Sequence, residues 1–463
     1  MMDPNLAMEV LSRAQSGGAD YAELFMEDTE STHIELLNDS VEKANYVRIS
    51  GAGIRVLLGT RSAYAYTADL SPTALRDTAA AAAAALKGTK AEQGIVFSMQ
   101  RYVTAQQIPF AFVSNDRRVA LLKSAAKAAR STSAEVSQAL AGYLDQVQRV
   151  MIASSDGILV YDERPRTRGY VRAVAMANAQ AQTGFDGPGC CRGFEAYSGT
   201  IDLDAAGCTA ANMAVTMLHA PECPAGVLPV VIDGGFGGVI FHEACGHALE
   251  ATSVSKGNSV FCGKLGQKIA SNCVSAVDDG TLPNEWGSIN IDDEGTPAQR
   301  NPLIENGVLK GYLIDKLGAR RMGMQITGSS RRQSYAYAPT SRMTNTFICA
   351  GNDSEDEMIQ TVGEGLYAKK MGGGSVNPAT GEFNFAVNEG YWINNGQIVT
   401  PVRGATLVGK GADVLQKIDR VGPRMWMAQG MCGSISGSVP TNVGQPRIRV
   451  SGMTIGGKGG AKL

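Results

Sequence analysis

Hydrophobic and polar residues recur along the chain with two periods, one typical of helices and one typical of strands. Apolar side chains lie three and four positions apart between Leu6 and Ala14, which predicts an amphipathic helix. Asp3 and Pro4 suit its N-terminal cap, and Gly17 follows its end. Helical patterns also predict helices over residues 71–86, 115–129, 354–362 and 412–421. Alternating or β-branched runs predict strands over residues 21–26, 33–36, 53–58, 61–66, 136–144, 147–153, 158–161, 227–232, 302–305, 308–314, 390–393, 397–399 and 447–455.

Short turns join several of these strands into antiparallel hairpins. Asn306–Gly307 and Asn395–Gly396 suit tight two-residue turns, because both central positions of such a turn have positive φ. Gly59–Thr60 places glycine first, as a type II′ turn requires. Residues 182–200 are rich in glycine and predict a loop, and residues 223–226 predict a boundary between domains.

The order of these elements predicts an α+β protein. Residues 1–223 are expected to form an N-terminal domain of helices and antiparallel strands, with subregions at about 1–113 and 114–223. Each subregion has a helix followed by antiparallel strands, which suggests an internal duplication. Residues 224–463 are expected to form a β-rich antiparallel C-terminal domain, whose last residues after Gly456 fray.

Composition and charge exclude some classes of partner. The 463 residues include 42 Lys and Arg against 44 Asp and Glu, a balance that argues against binding to nucleic acid or to an anionic membrane. The chain shows no secretory signal at its start and no run long and apolar enough to span a bilayer, so a cytoplasmic location is expected. The nine cysteines are then expected to be mostly reduced.

The candidate chemistry lies in the segment 241–247, Phe-His-Glu-Ala-Cys-Gly-His, which holds two of the four histidines. Imidazoles bind zinc and a neighbouring carboxylate can deprotonate a metal-bound water, so His242, Glu243 and His247 predict a metal site with a general base. On a regular helix, however, residues five apart point about 140° away from each other. The segment therefore needs either a π-type turn or a loosened helix at Gly246. The alternative is an ordinary helix on which both histidines only pack or face solvent.

A catalytic zinc usually has three protein ligands and one open position, so a further ligand is needed. Cys245 lies within the motif, but it would compete for space with the histidines and is expected to pack as a small apolar side chain. His219 is expected to be a helix histidine with its hydrogen bonds satisfied. Cys432 has nearby glycines that allow close backbone approach. The residues alone leave the third ligand open.

Four segments, in order along the chain, resemble the TldD/PmbA family. They are residues 231–251, 377–391, 401–411 and 431–446. Within that family the TldD branch carries the HExxxH motif and the PmbA (TldE) branch lacks it, so this sequence resembles the catalytic branch. The segment around Cys432 resembles the one that supplies a thiolate ligand in TldD proteins.

The resemblance implies a zinc-dependent metallopeptidase. His242, His247 and Cys432 would be the zinc ligands, and Glu243 would activate the metal-bound water. The resemblance further implies that the substrates are short or unfolded polypeptides. A heterodimer with a PmbA/TldE-type paralogue is the expected assembly, with a homodimer as the alternative.

Two questions stay open at this stage. The family is also called modulator of DNA gyrase, so a non-enzymatic regulatory protein with a structural metal site is an alternative function. The adjacent Glu243 and the set of only three obvious ligands argue against a structural site. Residues 331–335 and 341–345 also resemble family segments near the active site, but structural hydrogen bonds by charged loop residues explain them equally well.

Overall fold

The computed structural model describes residues 2–89, 94–377 and 380–458, and these residues form the predicted α+β fold. The helices are α1 (Pro4–Gln15), α2 (Pro72–Ala85), α3 (Asn115–Ser131), α4 (Leu203–His219), α5 (Val239–Phe241), α6 (Ala251–Val254), α7 (Lys316–Met322), α8 (Glu355–Gln360) and α9 (Gly411–Lys417). No helix in the described ranges is long and apolar enough to cross a membrane. The predicted fraying after Gly456 falls largely outside these ranges.

The strands are shorter and more numerous in the C-terminal half. They are β1 (Tyr21–Leu37), β2 (Ser40–Leu58), β3 (Arg61–Thr67), β4 (Ser98–Val103), β5 (Val136–Ser154), β6 (Ile158–Ala177), β7 (Gln180–Asp186), β8 (Gly189–Cys190), β9 (Gly226–Ile232), β10 (Ala276–Asp279), β11 (Arg300–Glu305), β12 (Val308–Leu309), β13 (Ser330–Arg331), β14 (Thr340–Ser341), β15 (Asn345–Ile348), β16 (Glu364–Val376), β17 (Glu382–Asn394), β18 (Gln397–Val402), β19 (Thr406–Lys410), β20 (Ile418–Val421), β21 (Trp426–Ser434), β22 (Gly437–Gln445) and β23 (Ile448–Gly456).

One sheet collects the strands of the N-terminal half in the order β3-β2-β1-β5-β6-β4, with β7 and β8 also paired to β6. Strands from both predicted subregions therefore lie side by side. On one face, α1 and α2 pack against β1 and β2, while α3 and α4 pack against β1, β5 and β6. The other face meets the C-terminal half through buried ion pairs, including Arg164 with Asp293 at 2.7 Å.

Residues 21–37 form one long strand, whereas the sequence pattern predicts two short ones. The pattern breaks at the polar residues 27–32. These residues remain in the sheet because Glu27, although buried, accepts hydrogen bonds from Thr29 Oγ1, Gln148 Nε2 and the Tyr335 amide. The two short strands predicted within 136–153 are likewise one strand, β5.

The predicted loop over residues 182–200 is also partly wrong, because β7 extends to Asp186 and β8 follows it. Gly184 is one of the glycines that suggested a loop, but packing explains it. A Cβ atom at this position would lie 1.9 Å from Ala210 O of α4. The helix predicted over residues 412–421 ends at Lys417 and continues as β20.

All three predicted hairpin turns are present. Asn306 and Gly307 have φ of 48° and 81°, and Asn395 and Gly396 have φ of 49° and 74°, as tight two-residue turns require. Gly59 also has a positive φ of 58° between β2 and β3. The residues at these turns were therefore sufficient to predict where the chain reverses direction.

Two large sheets of the C-terminal half enclose the motif, and β13 and β14 form a separate two-stranded sheet. The first has the order β12-β11-β10-β15-β22-β21, and the second has the order β16-β9-β23-β19-β17-β18 with β20 beside β23. Phe241, Ala244 and Cys245 lie in a hydrophobic core to which strands of both sheets contribute. This core holds the motif segment rigidly between the sheets.

Candidate metal centre

The motif begins directly after a buried strand. β9 ends at Ile232, a 3-10 turn follows at Gly235–Gly238, and α5 leads into a π-helical turn at His242–Gly246. The amide of His247 donates a hydrogen bond to His242 O, five residues back. This π turn is one of the two distortions that the five-residue spacing predicts. It brings the two imidazole rings to 5.1 Å between centroids, nearly perpendicular at 84°.

Gly246 has a packing role in this turn. A Cβ atom at this position would lie 2.2 Å from Met343 Sδ, well inside the contact limit. Its φ is −53°, in the ordinary right-handed helical region. Glycine is therefore needed here for the close approach of Met343, and the helix does not loosen at this residue.

Cys432 completes a group of three candidate ligands. It lies on β21, and its Sγ is 3.2 Å from His242 Nε2 and 3.2 Å from His247 Nε2. The three ligand atoms all lie within 4.8 Å of one another. Within the described ranges, this is the one such group of His, Cys, Asp or Glu side chains that could hold a metal ion.

The other candidates for the third ligand lie elsewhere. Cys245 is 1% exposed among apolar side chains, and burial raises the pKa of its thiol. His219 lies at the end of α4, where its Nε2 is 2.8 Å from the Glu135 carboxylate. His33, the remaining histidine, lies on β1 with its Nε2 2.9 Å from Tyr170 Oη. Of the residues considered, Cys432 is the one whose side chain lies next to both motif histidines.

Contacts within this group shift the pKa of Cys432 and of His247. Burial alone would raise the pKa of Cys432, but the contacts with His242 and His247 lower it to about 3. A pKa lowered in this way favours the thiolate, the form that binds metals. Burial would lower the pKa of His247, but Glu250 and Cys432 raise it well above its ordinary value. A metal cation competes with such protons for the same ligand atoms.

Comparison with known sequences places the whole chain in one family. Three of its sequence models match in order: PmbA/TldA metallopeptidase domain 1 at residues 22–86, the central domain at 108–218 and the C-terminal domain at 225–457. The chain belongs to the PmbA/TldD family. The C-terminal match contains all three candidate ligands and Glu243.

Relatives of similar length carry a peptidase name. The Metalloprotease TldD homolog of Haemophilus influenzae is 35% identical, over 95% of this chain and 93% of that protein. The Metalloprotease TldD homolog of Buchnera aphidicola is also 35% identical, over 98% of this chain and 96% of that protein. These full-length similarities confirm the resemblance found in the sequence motifs.

Solved structures share the fold of this PmbA/TldD family member. A candidate modulator of a DNA gyrase from Thermotoga maritima superposes with a TM-score of 0.80 at 22% identity, covering 98% of this chain and 100% of that one. TldE from Thermococcus kodakarensis superposes with a TM-score of 0.75 at 20% identity, covering 97% and 99%. At these identities the likeness establishes the fold alone.

Two further buried side chains support the ligands. Glu250 Oε2 lies 3.2 Å from His247 Nδ1. Arg342 Nη2 donates to Cys432 O, and Arg342 Nε lies 3.9 Å from Glu250 Oε1. Arg342, which is fully buried, therefore contacts the segments that carry two of the ligands. The sequence left residues 341–345 unassigned, because the contacts of Arg342 depend on the tertiary fold. Glu250 lies only three residues after His247, so its spacing was a local signal that the interpretation of the motif missed.

The ligand set fits a divalent metal of the zinc type. Two imidazole nitrogens and one thiolate are donors that zinc prefers, at about 2.0–2.3 Å from the ion. Donor atoms that lie within 4.8 Å of one another suit those bond lengths. A three-ligand set also leaves a coordination position open, as catalytic zinc sites do.

Proposed function

We propose that this protein is a zinc-dependent peptidase of the TldD type that hydrolyses short or unfolded polypeptides. The convergence of His242, His247 and Cys432 in one group, with Glu243 beside it, carries this proposal. A zinc ion held by these ligands would polarise the scissile carbonyl and increase the acidity of water. The metalloprotease names of full-length relatives support the same class of chemistry.

Glu243 is suited to the role of general base. Its side chain is 30% exposed, whereas that of His247 is 15% exposed, so the carboxylate can reach a water and a substrate. Its Oε2 lies 3.8 Å from His247 Nε2, close to the proposed ligand set. In the proposed reaction Glu243 takes a proton from the attacking water and passes it to the leaving amine.

The recessed ligands favour an extended substrate. His242 and Cys432 are 3% and 4% exposed, so a folded protein surface does not reach them easily. β21 is an edge strand beside them and could pair with an extended peptide. The carbonyls of Gln429, Gly430 and Cys432 already accept side-chain hydrogen bonds, so pairing would use other main-chain groups of β21.

We also propose a dimer, preferably with a PmbA/TldE-type paralogue, and a homodimer as the alternative. The shared fold of TldE from Thermococcus kodakarensis supports a paralogous partner of similar shape. An open pairing surface is present on β2, because β3 pairs only with residues 52–58 and no other strand of the described residues pairs with residues 40–51 on that side. Tyr46 and Val47 on this edge are 65% and 47% exposed.

Metal analysis combined with a peptide hydrolysis assay tests the proposed function. The purified protein should contain about one zinc per chain and cleave an unstructured peptide. A chelator should abolish cleavage, and added zinc should restore it. A disulfide-intact polypeptide should be cleaved much more slowly than its reduced, unfolded form. Zinc without any hydrolysis, alone or with the paralogue, would favour the regulatory protein with a structural metal site.

A further inference from the structure

A cavity of about 910 Å³ lies between the N-terminal sheet and the C-terminal half, lined in part by segments that adjoin the proposed metal ligands in sequence. One wall is the turn Gly234–Gly237, which leads into the π turn. A second wall is Trp426–Gly430, the part of β21 that precedes Cys432. The two segments that carry the ligands thus continue into the walls of the cavity. Its volume is typical of pockets that bind small ligands.

Most charged side chains that line this cavity are already paired. Asp233 accepts from Arg447 at 3.0 Å, and Glu355 accepts from Arg424 Nε at 3.0 Å. Lys369 lies 2.7 Å from Glu389. These pairs balance their own charges and leave little net attraction for a further ion.

Arg168 differs from them. It projects from β6, where its Nε donates to Gly187 O at 3.0 Å and its Nη2 donates to Gln429 O at 3.2 Å. Both acceptors are neutral main-chain oxygens, and no carboxylate of the described residues forms an ion pair with it. Burial lowers the pKa of Arg168, although Tyr170 and the Asp186 carboxylate in the same cavity act in the opposite direction. A carboxylate is the natural partner of such a guanidinium.

Apolar side chains line the same cavity. Trp426 is 54% exposed and Phe185 is 37% exposed, and both face a space that they share with Phe236 and Met427. The Arg168 guanidinium lies 6.0 Å from the centre of the Phe185 ring. A cation next to an apolar wall matches the terminal residue of a peptide, which carries a carboxylate and a side chain on one carbon.

The position of Arg168 also relates it to the proposed reaction. Its contact residue Gln429 precedes Cys432 by three positions on β21. Extended chain rises by about 3.3 Å per residue, so the two positions are about 10 Å apart. A peptide carboxylate at Arg168 would therefore lie about three residues from the bond at the metal centre.

We propose that this cavity binds a carboxylate of the peptide substrate, with Arg168 as its counter-ion. This inference rests on the proposed peptidase function. It adds the chemical group of the substrate that the enzyme recognises, a carboxylate. The carboxylate comes from the C-terminus of a short peptide, and the enzyme then releases fragments of about two or three residues. An internal Asp or Glu side chain has the same chemistry and is distinguished by the experiment below.

The experiment uses zinc-loaded protein, with its paralogue if that is required for activity. Two unstructured peptides of identical sequence end in a free carboxylate and in an amide. The free acid should have at least about a tenfold higher kcat/KM, since a hydrogen bond between charged groups is lost in the amide. Mass spectrometry should place its cleavage about two or three residues from the C-terminus. A second pair of peptides, both amidated, has Glu or Gln at that distance from the cleaved bond.

Variants of Arg168 connect this preference to the cavity. Arg168→Gln should abolish the preference for the free acid, whereas Arg168→Lys should retain part of it because the charge remains. Arg172→Gln, at an exposed position of the same strand, is the matched control and should leave the preference unchanged. Zinc content and melting temperature of each variant verify that the metal centre and the fold persist.

Equal rates for acid and amide, or a preference that Arg168→Gln leaves intact, would overturn the proposal. A preference for Glu over Gln alone would overturn the C-terminal assignment and support an internal carboxylate.

Binding of the same peptides to Glu243→Gln separates this inference from the proposed activity. If no peptide is cleaved but the acid binds about tenfold tighter in an Arg168-dependent manner, the carboxylate site stands and the peptidase proposal fails.

Discussion

Glu250 Oε2 lies 3.2 Å from Nδ1 of His247, whose Nε2 is in turn 3.2 Å from Cys432 Sγ. The imidazole is therefore fixed at both nitrogens, with Nε2 directed at the other ligands. Carboxylates commonly orient metal-binding histidines in this way. His242 lacks such support, because its buried Nδ1 has no hydrogen-bond partner among the described residues.

Glu250→Gln should weaken zinc binding by about 10–100-fold, since it removes the charge that orients His247. Competition with a chelator of known affinity measures the change. Glu135→Gln is the matched control, because Glu135 contacts the exposed His219 far from the ligands in sequence and should not alter zinc affinity. Unchanged zinc affinity in Glu250→Gln would mean that packing alone orients the ring.

Cys432→Ser should greatly reduce the zinc content of the purified protein, because a hydroxyl replaces the thiolate that both histidines contact. Cys245→Ser should retain zinc, although a hydroxyl in that apolar environment will cost some stability. Elemental analysis after dialysis measures both. The reverse result, with zinc lost only from the Cys245 variant, would show that the third ligand is misassigned.

Gly246→Ala should destabilise the fold by about 1–3 kcal/mol, because the added methyl group would overlap Met343. Gly433→Ala is the control, since a Cβ atom there meets nothing within 4 Å. Denaturant unfolding compares the two variants. Equal stability of both would show that Met343 moves aside without cost.

Local sequence signals accounted for much of the fold around these residues. The asparagine-glycine turns and the capped helix α1 follow from backbone preferences of individual residues, and all are present. The five-residue spacing of His242 and His247 predicted a distortion, and the π turn has the required geometry. Continuity of β1 was missed because the hydrogen bonds of Glu27 come from distant segments.

The third ligand could not be chosen from spacing. Cys432 follows His247 by almost two hundred residues, and only the family resemblance distinguished it from the other cysteines. The roles of Arg342 and Arg168 could not be predicted from the sequence either, since they depend on which main-chain carbonyls the fold places beside each side chain. The division into domains at 1–223 and 224–463 remains a prediction.

The proposed partner predicts a change in mass and activity. Mixed with a PmbA/TldE-type paralogue, the protein should form a complex of one copy each, and the peptidase rate should rise. Light scattering and the hydrolysis assay on the separate and mixed samples provide the test. A homodimer with full activity would support the alternative assembly, and a fully active monomer unaffected by the paralogue would contradict both.

The most direct test of the central claim is the peptidase rate of Glu243→Gln, measured together with its zinc content. The change keeps all three ligands and the shape of the side chain but removes the proton acceptor. The account predicts a rate reduced by at least about 100-fold in a protein that still holds one zinc per chain. Near-normal hydrolysis by the zinc-loaded variant would contradict it.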